Sequence, residues 1–473
     1  MIVHENFFAD GGWRSARGSV EQLVINPATE ETIARVKACS EKDVCAAVEA
    51  AQEAFKGWSV LSPAERAGWL DQLAKGLESR ADQIAELITA ELGCPVRFAQ
   101  KVQAALPIAN MRVYAGMTEE FAEETIGNVQ VVREPIGVVA CITPWNYPLH
   151  QIVAKVAPAL LAGCTVVLKP SEVTPLDAFL FAEVVEQVGL PPGVFNLVAG
   201  TGKEVGEVLA QHPLVDMVSF TGSTRAGRRV TELASTTIKR VALELGGKSP
   251  AVLLDDADLD AAVKSVLNSC FLNSGQTCNA MTRLLVPESL YGQVAEKVVS
   301  AAKKFKVGDP LAADTRVGPL VSRQQWLKVR SYIERGIGEG ATLLCGGPEI
   351  PQGLDQGFYV SPTVFGQVTP SMTIAREEIF GPVLVIMVYR DDMEAVKIAN
   401  DSVYGLAASV WSGDSARALA VARQLRAGQV AVNGAGPNLL APFGGYKQSG
   451  NGRELGRYGL EEFFEIKAIS LPQ

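Results

Sequence analysis

The spacing of apolar residues along the chain predicts a helical opening followed by two regions in which strands alternate with helices. From Lys42 to Phe121 the apolar residues recur mostly three or four positions apart, which predicts several amphipathic helices. Between Asn128 and Thr143 they form two short runs that predict a pair of strands, interrupted at Pro135. Further along, short β-rich runs are separated by helical patterns, which is typical of βαβ units around a parallel sheet. The chain is therefore predicted to be an α/β protein.

The β-rich runs fall into two series. The first contains CTVVL, VFNLV, VDMVSF and RVALEL, and the second contains AVLLD, TRLLVP, PVLVIMVY, LAASVWS and QVAVN. The glycines Gly246 and Gly247 stand between the two series. Since domains commonly hold about 100–200 residues, a chain of 473 residues has room for both series as separate units. We therefore expect two α/β domains with a seam near this glycine pair.

Composition excludes several classes of protein. Lysine and arginine number 43 against 52 aspartate and glutamate residues, and this net charge of −9 argues against a nucleic-acid partner, which requires a basic patch. The most apolar long stretch, residues 152–168, contains Lys155 and Pro158, so we expect a buried helix followed by a strand and no membrane span. His4 and Glu5 interrupt the apolar run that a secretory signal needs, which favours a cytoplasmic protein.

The cysteines provide one candidate nucleophile. No C-x-x-C pair and no histidine cluster accompanies them, so we expect no metal site, and free thiols suit a reducing cytoplasm. Cys278 lies in NSGQTCN, a polar segment typical of an accessible loop, whereas apolar or helix-forming residues surround Cys141, Cys164, Cys270 and Cys345. Cys278 could act as a nucleophile if a base or electropositive neighbours form its thiolate.

Three further features could assist this cysteine, and each has a plain structural alternative. Glu244 ends the apolar run RVALELGG, where a buried carboxyl group would have a raised pKa and could act as a base; a solvated carboxylate at a strand end fits equally well. Asn146, in ITPWNYP, could donate its amide to an oxyanion or be an ordinary turn residue. FTGSTRAG could bind a phosphate at a helix N-terminus or be a tight βα turn.

Eight motifs occur along the chain in the order ITPWNYP, LKPSE, FTGSTRAG, LELGGKSP, GQTCN, EEIFGP, PFGGYKQSG and GRELG. With this set the chain resembles the NAD(P)-dependent aldehyde dehydrogenase superfamily, of the hydrolytic, non-acylating type, over essentially its whole length. The resemblance implies an aldehyde dehydrogenase-like α/β fold, with two Rossmann-like parallel-sheet domains and a small β oligomerisation flap. It assigns residues 1–117 and 136–245 to NAD binding, 246–440 to the catalytic domain, and 118–135 with 455–473 to the assembly of a homodimer or homotetramer.

The resemblance also implies the chemistry. An aldehyde is oxidised to the carboxylic acid through a cysteine thiohemiacetal and a thioester, in which Cys278 is the nucleophile, Glu244 activates the hydrolytic water and Asn146 stabilises the oxyanion. Lys155 and Glu454 match positions that handle protons beside the glutamate. A CoA-acylating dehydrogenase is the close alternative, against which Glu244 argues because a hydrolytic base is superfluous there. A structural or binding protein on the same fold is the alternative from another class.

The implied cofactor is NAD, with NADP as an alternative. Lys169 and Glu172 match positions beside the adenosine ribose, where a carboxylate binds both hydroxyls and repels a 2′-phosphate, although Lys169 could still hold a phosphate. The remaining cofactor positions are Trp145, then Gly222, Ser223 and Gly227 near the pyrophosphate, and Glu378 and Phe380 at the nicotinamide ribose and ring.

The implied substrate is a small aldehyde whose identity the sequence leaves open. His150 departs from the apolar residue usual at its position, and it could bond a polar or ring-bearing substrate or be a satisfied histidine at the pocket edge. No arginine is evident beside Cys278, so a carboxylated semialdehyde is not favoured, and aromatic or medium aliphatic aldehydes stay open. The positions that match the substrate pocket are Tyr147, His150, Thr277, Asn279 and Phe443.

Overall fold

The structure is a computed structural model that describes residues 1–121 and 124–472. Ala122, Glu123 and Gln473, which belong to the predicted oligomerisation segments, lie outside the described residues. The described strands are β1 (Ile2–His4), β2 (Asn6–Ala9), β3 (Gly12–Ser15), β4 (Glu21–Ile25), β5 (Thr32–Lys37), β6 (Glu124–Ile126), β7 (Val129–Pro135), β8 (Val138–Ile142), β9 (Thr165–Lys169), β10 (Phe195–Leu197), β11 (Met217–Thr221), β12 (Arg240–Glu244), β13 (Ser249–Leu253), β14 (Met281–Pro287), β15 (Thr342–Cys345), β16 (Thr363–Gly366), β17 (Val383–Tyr389), β18 (Ala407–Trp411), β19 (Gln429–Val432), β20 (Gly450–Asn451) and β21 (Phe464–Ser470).

The helices cover both faces of the sheets that these strands form. They are α1 (Glu41–Trp58), α2 (Pro63–Ser79), α3 (Ala81–Leu92), α4 (Val96–Phe98), α5 (Ala105–Ala115), α6 (Pro148–Ala162), α7 (Leu176–Val188), α8 (Glu207–Gln211), α9 (Thr224–Ala234), α10 (Leu259–Phe271), α11 (Tyr291–Ala302), α12 (Arg323–Gly338), α13 (Thr373–Arg376), α14 (Asp392–Asn400), α15 (Ser415–Ala422) and α16 (Gly456–Glu461). The helical opening predicted between Lys42 and Phe121 is confirmed by α1 to α5.

The first large sheet has eight strands in the order β20-β12-β11-β8-β9-β10-β2-β3. The five strands from β12 to β10 run parallel, and the edge strands β20, β2 and β3 pair antiparallel. Every residue of β8, β9, β10 and β11 is buried, because helices cover both faces of a parallel sheet. The carboxyl ends of β8, β9, β11 and β12 therefore meet along one edge, which is where ligands bind in open α/β sheets.

The second large sheet has seven strands in the order β15-β16-β17-β14-β13-β18-β19, all parallel except β15. The first sheet's parallel strands end with β12 at Glu244 and the second sheet begins with β13 at Ser249. The glycines Gly246 and Gly247 therefore connect the two sheets. The expected α/β architecture with two parallel-sheet units is confirmed.

A small third sheet joins two distant parts of the chain. It has the order β21-β7-β6, and β7 pairs with β21 from Phe464 opposite Pro135 to Ser470 opposite Val129. Apolar side chains on this sheet, among them Ile126 and Ile466, are exposed. Its strands lie within the segments 118–135 and 455–473, so the small β flap of the expected fold is present.

The strands β1 to β5 were not predicted from the sequence. β2 and β3 form a hairpin whose turn residues Asp10 and Gly11 have φ values of 55° and 75°, and the hairpin extends the first large sheet. β1, β4 and β5 form a separate three-stranded sheet. These strands have three to six residues and are partly exposed, so their apolar pattern is weak.

Helix α6 carries a lysine into the core. Pro148 at its first turn suits a helix start, and Gly163 ends it with a φ of 102°, in the left-handed conformation favoured by glycine. Fourteen of its 15 residues are buried, including Lys155, which confirms the buried helix followed by strand β9. Within the described residues, no helix combines the length and apolar character required to cross a bilayer.

Two buried carboxyl groups meet where α3 and α7 pack together. Glu91 accepts a hydrogen bond from the backbone N–H of Leu176 at 3.0 Å, and neither oxygen of Asp177 has a partner among the described residues. Burial raises the pKa of Asp177 to about 8, and burial with the charge of Asp177 raises the pKa of Glu91 well above its usual range. Asp177 therefore keeps its proton in the folded protein at neutral pH.

Replacement of Asp177 by asparagine should stabilise the protein at alkaline pH. Because the folded pKa is raised, folding takes up a proton between about pH 4 and pH 8, and the free energy of unfolding falls as pH rises through that window. Asparagine has no such proton, so the melting temperature of Asp177→Asn should exceed that of the wild type by several degrees at pH 8.5 and by less at pH 5. Asp71→Asn, at a half-exposed position on α2, is the control. If the difference in melting temperature between Asp177→Asn and the wild type does not increase with pH, the raised pKa of Asp177 is contradicted.

Candidate active site

A strained turn precedes Cys278 and fixes its position. After α10, Asn273, Ser274 and Gly275 follow one another with φ values of 51°, 57° and 76°. A Cβ atom on Gly275 would overlap the backbone of Gly381, so the turn requires glycine there. The Gln276 side chain locks the turn, because its amide donates to Asn273 O at 3.1 Å and its oxygen accepts from the N–H of a neighbouring loop at 2.9 Å. Such strained residues cluster at functional sites.

The environment of Cys278 keeps its thiol protonated. Burial raises the pKa of the Cys278 thiol, and the carboxylates of Glu244, Glu378 and Glu454 raise it further, while the Asn279 backbone N–H opposes them. A thiolate at Cys278 needs either a base or electropositive neighbours. Because the surroundings of Cys278 are acidic, a base is the group that can form the thiolate. The thiol itself lines an open cavity.

Glu244 is placed to be that base. It is the last residue of β12, it is only 4% exposed, and its Oε1 atom has no partner within the described chain. Burial, followed by the charge of Glu454, raises the pKa of Glu244 well above its usual range, while Lys155 opposes the shift. A carboxyl group with a raised pKa accepts a proton efficiently near neutral pH. The alternative of a solvated strand-end carboxylate is wrong.

Lys155 and Glu454 lie directly behind Glu244. The Lys155 Nζ atom donates to Thr221 Oγ1 at 2.6 Å and forms an ion pair with Glu454. Thr221 is the register partner of Glu244 on the neighbouring strand β11. Glu244 and Glu454 also line one small cavity. The structure thus brings together the two residues expected to handle protons and the expected base.

Asn146 lies in the wall between Cys278 and the core. Its Nδ2 atom donates to Gln276 O at 3.1 Å, and its backbone oxygen accepts from the side-chain amides of Gln103 and Asn273 at 3.0 and 2.8 Å. Since one amide hydrogen is used, the second can point into the cavity that Asn146 and Cys278 both line. This arrangement suits an oxyanion donor and exceeds what a turn residue needs.

The strand-to-helix passage in FTGSTRAG has the geometry of an anion site. β11 ends at Thr221 and α9 begins at Thr224, where the Ser223 hydroxyl caps the helix by accepting from the Ala226 N–H at 3.2 Å. A Cβ on Gly222 would lie 2.6 Å from the Phe220 ring. Gly222 and Ser223 at this helix start line the cavity of Cys278, and a helix N-terminus favours an anion, so a phosphate group fits.

The remaining cofactor positions form two groups. Lys169, at the end of β9, donates to Pro170 O and to Glu172 Oε2, and burial lowers its pKa. The Glu172 side chain is 41% exposed and can reach a ligand on the sheet edge. Gly227 instead packs against Leu245, where a Cβ would lie 2.7 Å from a methyl group. Its role is therefore helix packing behind the phosphate site.

Aromatic and acidic groups lie at the other end of the cavity that Cys278 lines. The Trp145 and Phe380 rings meet edge to face at 5.3 Å, and Glu378 accepts a hydrogen bond from the Gly247 N–H at 3.1 Å. Gln325 and Lys328 of α12 also line the cavity, and the sequence analysis missed both. Their spacing along α12 is that of any solvent-facing helix side, so no sequence signal marks them.

Three of the predicted substrate residues are close to the thiol: Thr277 and Asn279 flank Cys278 in the chain, and Tyr147 contacts Thr277. The Tyr147 hydroxyl bonds the Thr277 hydroxyl at 2.8 Å, and Asn279 follows the thiol directly. Phe443 is held by two backbone hydrogen bonds to Glu454, at 2.8 and 2.7 Å. Burial lowers the pKa of His150 to about 4, so this histidine is neutral, and its Nδ1 atom has no partner within the described chain.

A comparison with known families decides what this arrangement is. The model of the aldehyde dehydrogenase family matches residues 13–469. The chain belongs to the aldehyde dehydrogenase family. It is therefore an enzyme that oxidises aldehydes through a catalytic cysteine, and the structural or binding alternative has no support.

Individual relatives are similar over nearly the whole length of this aldehyde dehydrogenase. A curated relative from a Pseudomonas species, named 3-succinoylsemialdehyde-pyridine dehydrogenase, is 52% identical over 99% of both chains. A solved cysteine-to-alanine mutant of aldehyde dehydrogenase C from Pseudomonas syringae, in complex with NAD⁺ and octanal, is 49% identical with a TM-score of 0.97, over 98% of this chain and 96% of its own. The aldehyde dehydrogenase of Mycobacterium tuberculosis in complex with NAD⁺ is 42% identical with a TM-score of 0.97, over 100% and 99%.

Proposed function

We propose that this aldehyde dehydrogenase oxidises a small aldehyde to the carboxylic acid with NAD⁺ and water, and that Cys278, Glu244, Asn146, Lys155 and Glu454 carry the reaction. The observation that carries the proposal is the position of Cys278, on the wall of the phosphate-compatible cavity and within the electrostatic field of Glu244, a buried carboxyl group whose Oε1 atom has no partner in the described chain. These are the nucleophile and base that covalent aldehyde oxidation needs.

Cys278 and Asn146 perform the first half of the reaction. The thiol gives up its proton to the Glu244 carboxylate, and its sulfur forms a bond to the aldehyde carbon, which converts the carbonyl oxygen into an oxyanion. The free amide hydrogen of Asn146 and the Cys278 backbone N–H stabilise that oxyanion. When bound, NAD⁺ supplies the acceptor for the hydride that leaves the thiohemiacetal carbon. The acyl group then remains on Cys278 as a thioester.

Glu244 performs the second half. Its carboxylate takes a proton from a water molecule while the water oxygen adds to the thioester carbon, and the carbon–sulfur bond then breaks to release the acid. The Lys155–Glu454 pair lies behind Glu244, so it can receive the proton and reset the base. This buried base supports hydrolysis over transfer of the acyl group to CoA.

The residues that would hold NAD⁺ fit its parts. The N-terminus of α9 with Gly222 and Ser223 suits the pyrophosphate, Lys169 and Glu172 suit the adenosine ribose, and the position of Gly227 behind this helix start keeps it close to the sheet. Solved relatives contain NAD⁺, which supports the same cofactor here. At the other end, Glu378, Phe380 and Trp145 suit the nicotinamide ribose and ring.

Replacement of Glu172 by glutamine should widen cofactor use. The Glu172 carboxylate repels a 2′-phosphate, whereas glutamine is neutral and leaves the Lys169 ammonium free to attract it. We expect the kcat/KM ratio for NADP⁺ over NAD⁺ to rise about tenfold in Glu172→Gln. Glu53→Gln, an exposed position on α1, should leave the ratio unchanged. An unchanged ratio in both variants would remove Glu172 from the ribose site.

The proposal also covers the domain boundaries, the oligomeric state and the cellular location of the protein. Residues 1–117 with 136–245 bind NAD, 246–440 form the catalytic domain, and the segments 118–135 and 455–473 pair subunits in a homodimer or homotetramer. The exposed isoleucines of β6 and β21 support subunit pairing at this sheet. The eight unpaired cysteines support a reducing cytoplasm. The mass of the protein in solution tests the assembly, and a monomer would contradict it.

The experiment that tests the function is reduced-cofactor formation with a panel of aliphatic, aromatic and semialdehyde substrates, with NAD⁺ or NADP⁺, and with and without CoA. We expect turnover with NAD⁺ in the absence of CoA, with a carboxylic acid as the product. Turnover only with CoA would overturn the hydrolytic role of Glu244. Aldehydes of one type that differ in chain length also show which substrate length suits the pocket that we propose is formed by Tyr147, His150, Thr277, Asn279 and Phe443.

A further inference from the structure

A second cavity opens beside the catalytic loop, and it shares no lining residue with the cavity of the cofactor residues. Its walls come from α4 and the π-helical turn Ala99–Ala104 that follows it, from the end of α10, and from the loop after α11. Phe98, Phe271 and Phe305 supply aromatic surface. The cavity is thus a separate compartment with an apolar floor.

The wall of this cavity touches the wall of the thiol site. Asn273 lines the cavity and donates its amide to the backbone oxygen of Asn146 at 2.8 Å. Phe98 also lines it and packs edge to face on Tyr147 at 6.1 Å, while Tyr147 bonds Thr277, the residue before the nucleophile. One layer of side chains, formed by Phe98, Tyr147 and Asn273, therefore separates the cavity from the thiol site.

The charge of the cavity is one-sided. Arg97, Lys101 and Arg316 line it, and no carboxylate does among the lining residues that the structure describes. This contrasts with the net charge of −9 for the whole chain. The carboxylate of Asp314, which lies close enough to Arg97 to feel its charge, is paired with Lys306 at 2.6 Å. The cavity therefore presents a net positive field to a ligand.

The cationic groups differ in how they are held. Arg316 donates to Asn268 at 2.8 Å, and its guanidinium lies 4.3 Å from the centre of the Phe305 ring, which fixes its direction. Arg97 and Lys101 are exposed, and neither has a hydrogen bond or ion pair within residues 1–121 and 124–472. The fixed guanidinium and the two unpaired cations together suit a planar, doubly accepting anion.

A buried donor without a partner completes the set. Thr315 lines the cavity, is 6% exposed, and its Oγ1 atom has no hydrogen-bond partner within the described chain. An unsatisfied buried hydroxyl costs stability unless a ligand or water bonds it. A carboxylate oxygen in the cavity is an acceptor that this hydroxyl can satisfy.

We propose that this cavity binds the far end of the substrate and selects aldehydes that carry a carboxylate there, separated from the aldehyde by an aliphatic or aromatic spacer. Arg97, Lys101 and Arg316 hold the carboxylate and the phenylalanines hold the spacer. The inference rests on the proposed function. It reverses the sequence expectation that a carboxylated semialdehyde is not favoured, because the cations come from segments far along the chain from Cys278.

A matched pair of substrates tests the proposal. Octanal and 8-oxooctanoate differ only in the terminal carboxylate, and we expect kcat/KM with NAD⁺ to be at least tenfold higher for 8-oxooctanoate at low salt. Arg97→Gln should lower kcat/KM for 8-oxooctanoate about tenfold, with octanal changed less than twofold. Added salt should reduce the preference in the wild type. Lys42→Gln, an exposed cation on α1, is the charge-matched control and should change neither substrate.

A second readout does not depend on turnover of the carboxylated substrate. Suberate should compete with octanal more strongly than octanoate does, and Arg97→Gln should remove that difference. Equal oxidation of both aldehydes with no effect of Arg97→Gln would overturn this inference alone. Failure to oxidise any aldehyde would overturn the proposed function and this inference with it.

Discussion

Replacement of Cys278 by alanine should abolish aldehyde oxidation while the fold is kept. Without the sulfur there is no thiohemiacetal, so the loss should be at least about 10³-fold in kcat and extend to the first turnover. The side chain is small and partly exposed, and its removal leaves the preceding turn held by Gln276, so the melting temperature should change little.

The measurement is reduced-cofactor formation in single-turnover and steady-state assays. Cys345→Ala is the matched control, because Cys345 is a partly exposed cysteine on β15, in the second sheet, that lines neither the thiol cavity nor the cavity behind Glu244. Full activity of Cys278→Ala, or an equal loss in Cys345→Ala, would remove Cys278 from the role of nucleophile.

Replacement of Glu244 by glutamine should separate the two halves of the reaction. The glutamine keeps the shape of the side chain but cannot take a proton from water, so hydrolysis of the thioester should slow by about 10²- to 10⁴-fold. The first hydride transfer should survive at a lower rate, because water in the open cavity can take the thiol proton in place of Glu244. It should give close to one equivalent of reduced cofactor per active site, and acyl-enzyme should accumulate on Cys278.

Stopped-flow absorbance gives the burst, and mass spectrometry of acid-quenched protein gives the acyl adduct. Glu462→Gln is the control, since Glu462 lines the same small cavity but bonds the Arg453 N–H at 3.0 Å. Steady turnover at the wild-type rate in Glu244→Gln would show that another group activates the water. Acyl transfer to added CoA at a rate faster than wild-type hydrolysis would favour the acylating alternative.

The pH dependence of turnover should follow the raised pKa of Glu244. Its carboxylate must be ionised to accept a proton, and burial has moved that ionisation upward. Steady-state kcat should therefore increase with pH above the range in which an ordinary exposed glutamate ionises. A kcat that is constant between pH 5 and pH 9 would contradict this.

The parallel strands were predictable because each is a buried apolar run with a clear end. The runs VDMVSF and RVALEL appear as β11 and β12, and their register brings Thr221 opposite Glu244. The short N-terminal strands lack such runs and were missed. Sequence alone left Glu244 open between a buried base and a solvated carboxylate, because burial of a strand end depends on what packs over it, here the returning segment with Glu454.

Other residues of the two cavities are not marked by any local sequence pattern. Asn273 and Ser274 adopt positive φ without being glycine, and only the surrounding packing imposes that conformation. Gln325 and Lys328 look like ordinary solvent-facing helix residues, and Arg97 and Arg316 come together only because α4 packs beside the loop after α11. A sequence motif identifies functional residues that are neighbours along the chain. It does not identify a cavity wall that is assembled from segments distant in sequence.

The pairing of Lys155 with Glu454 has a consequence for synthesis of the protein in the cell. The lysine lies in α6 and its partner lies close to the C-terminus, as do β20, which pairs with β12 beside Glu244, and β21, which pairs with β7. A ribosome-bound chain that already contains Cys278 and the complete cofactor edge still lacks these contacts. The ion pair behind Glu244 and the third strand of the small sheet are therefore completed only after residues 450–470 have been synthesised and have packed back onto β12 and β7.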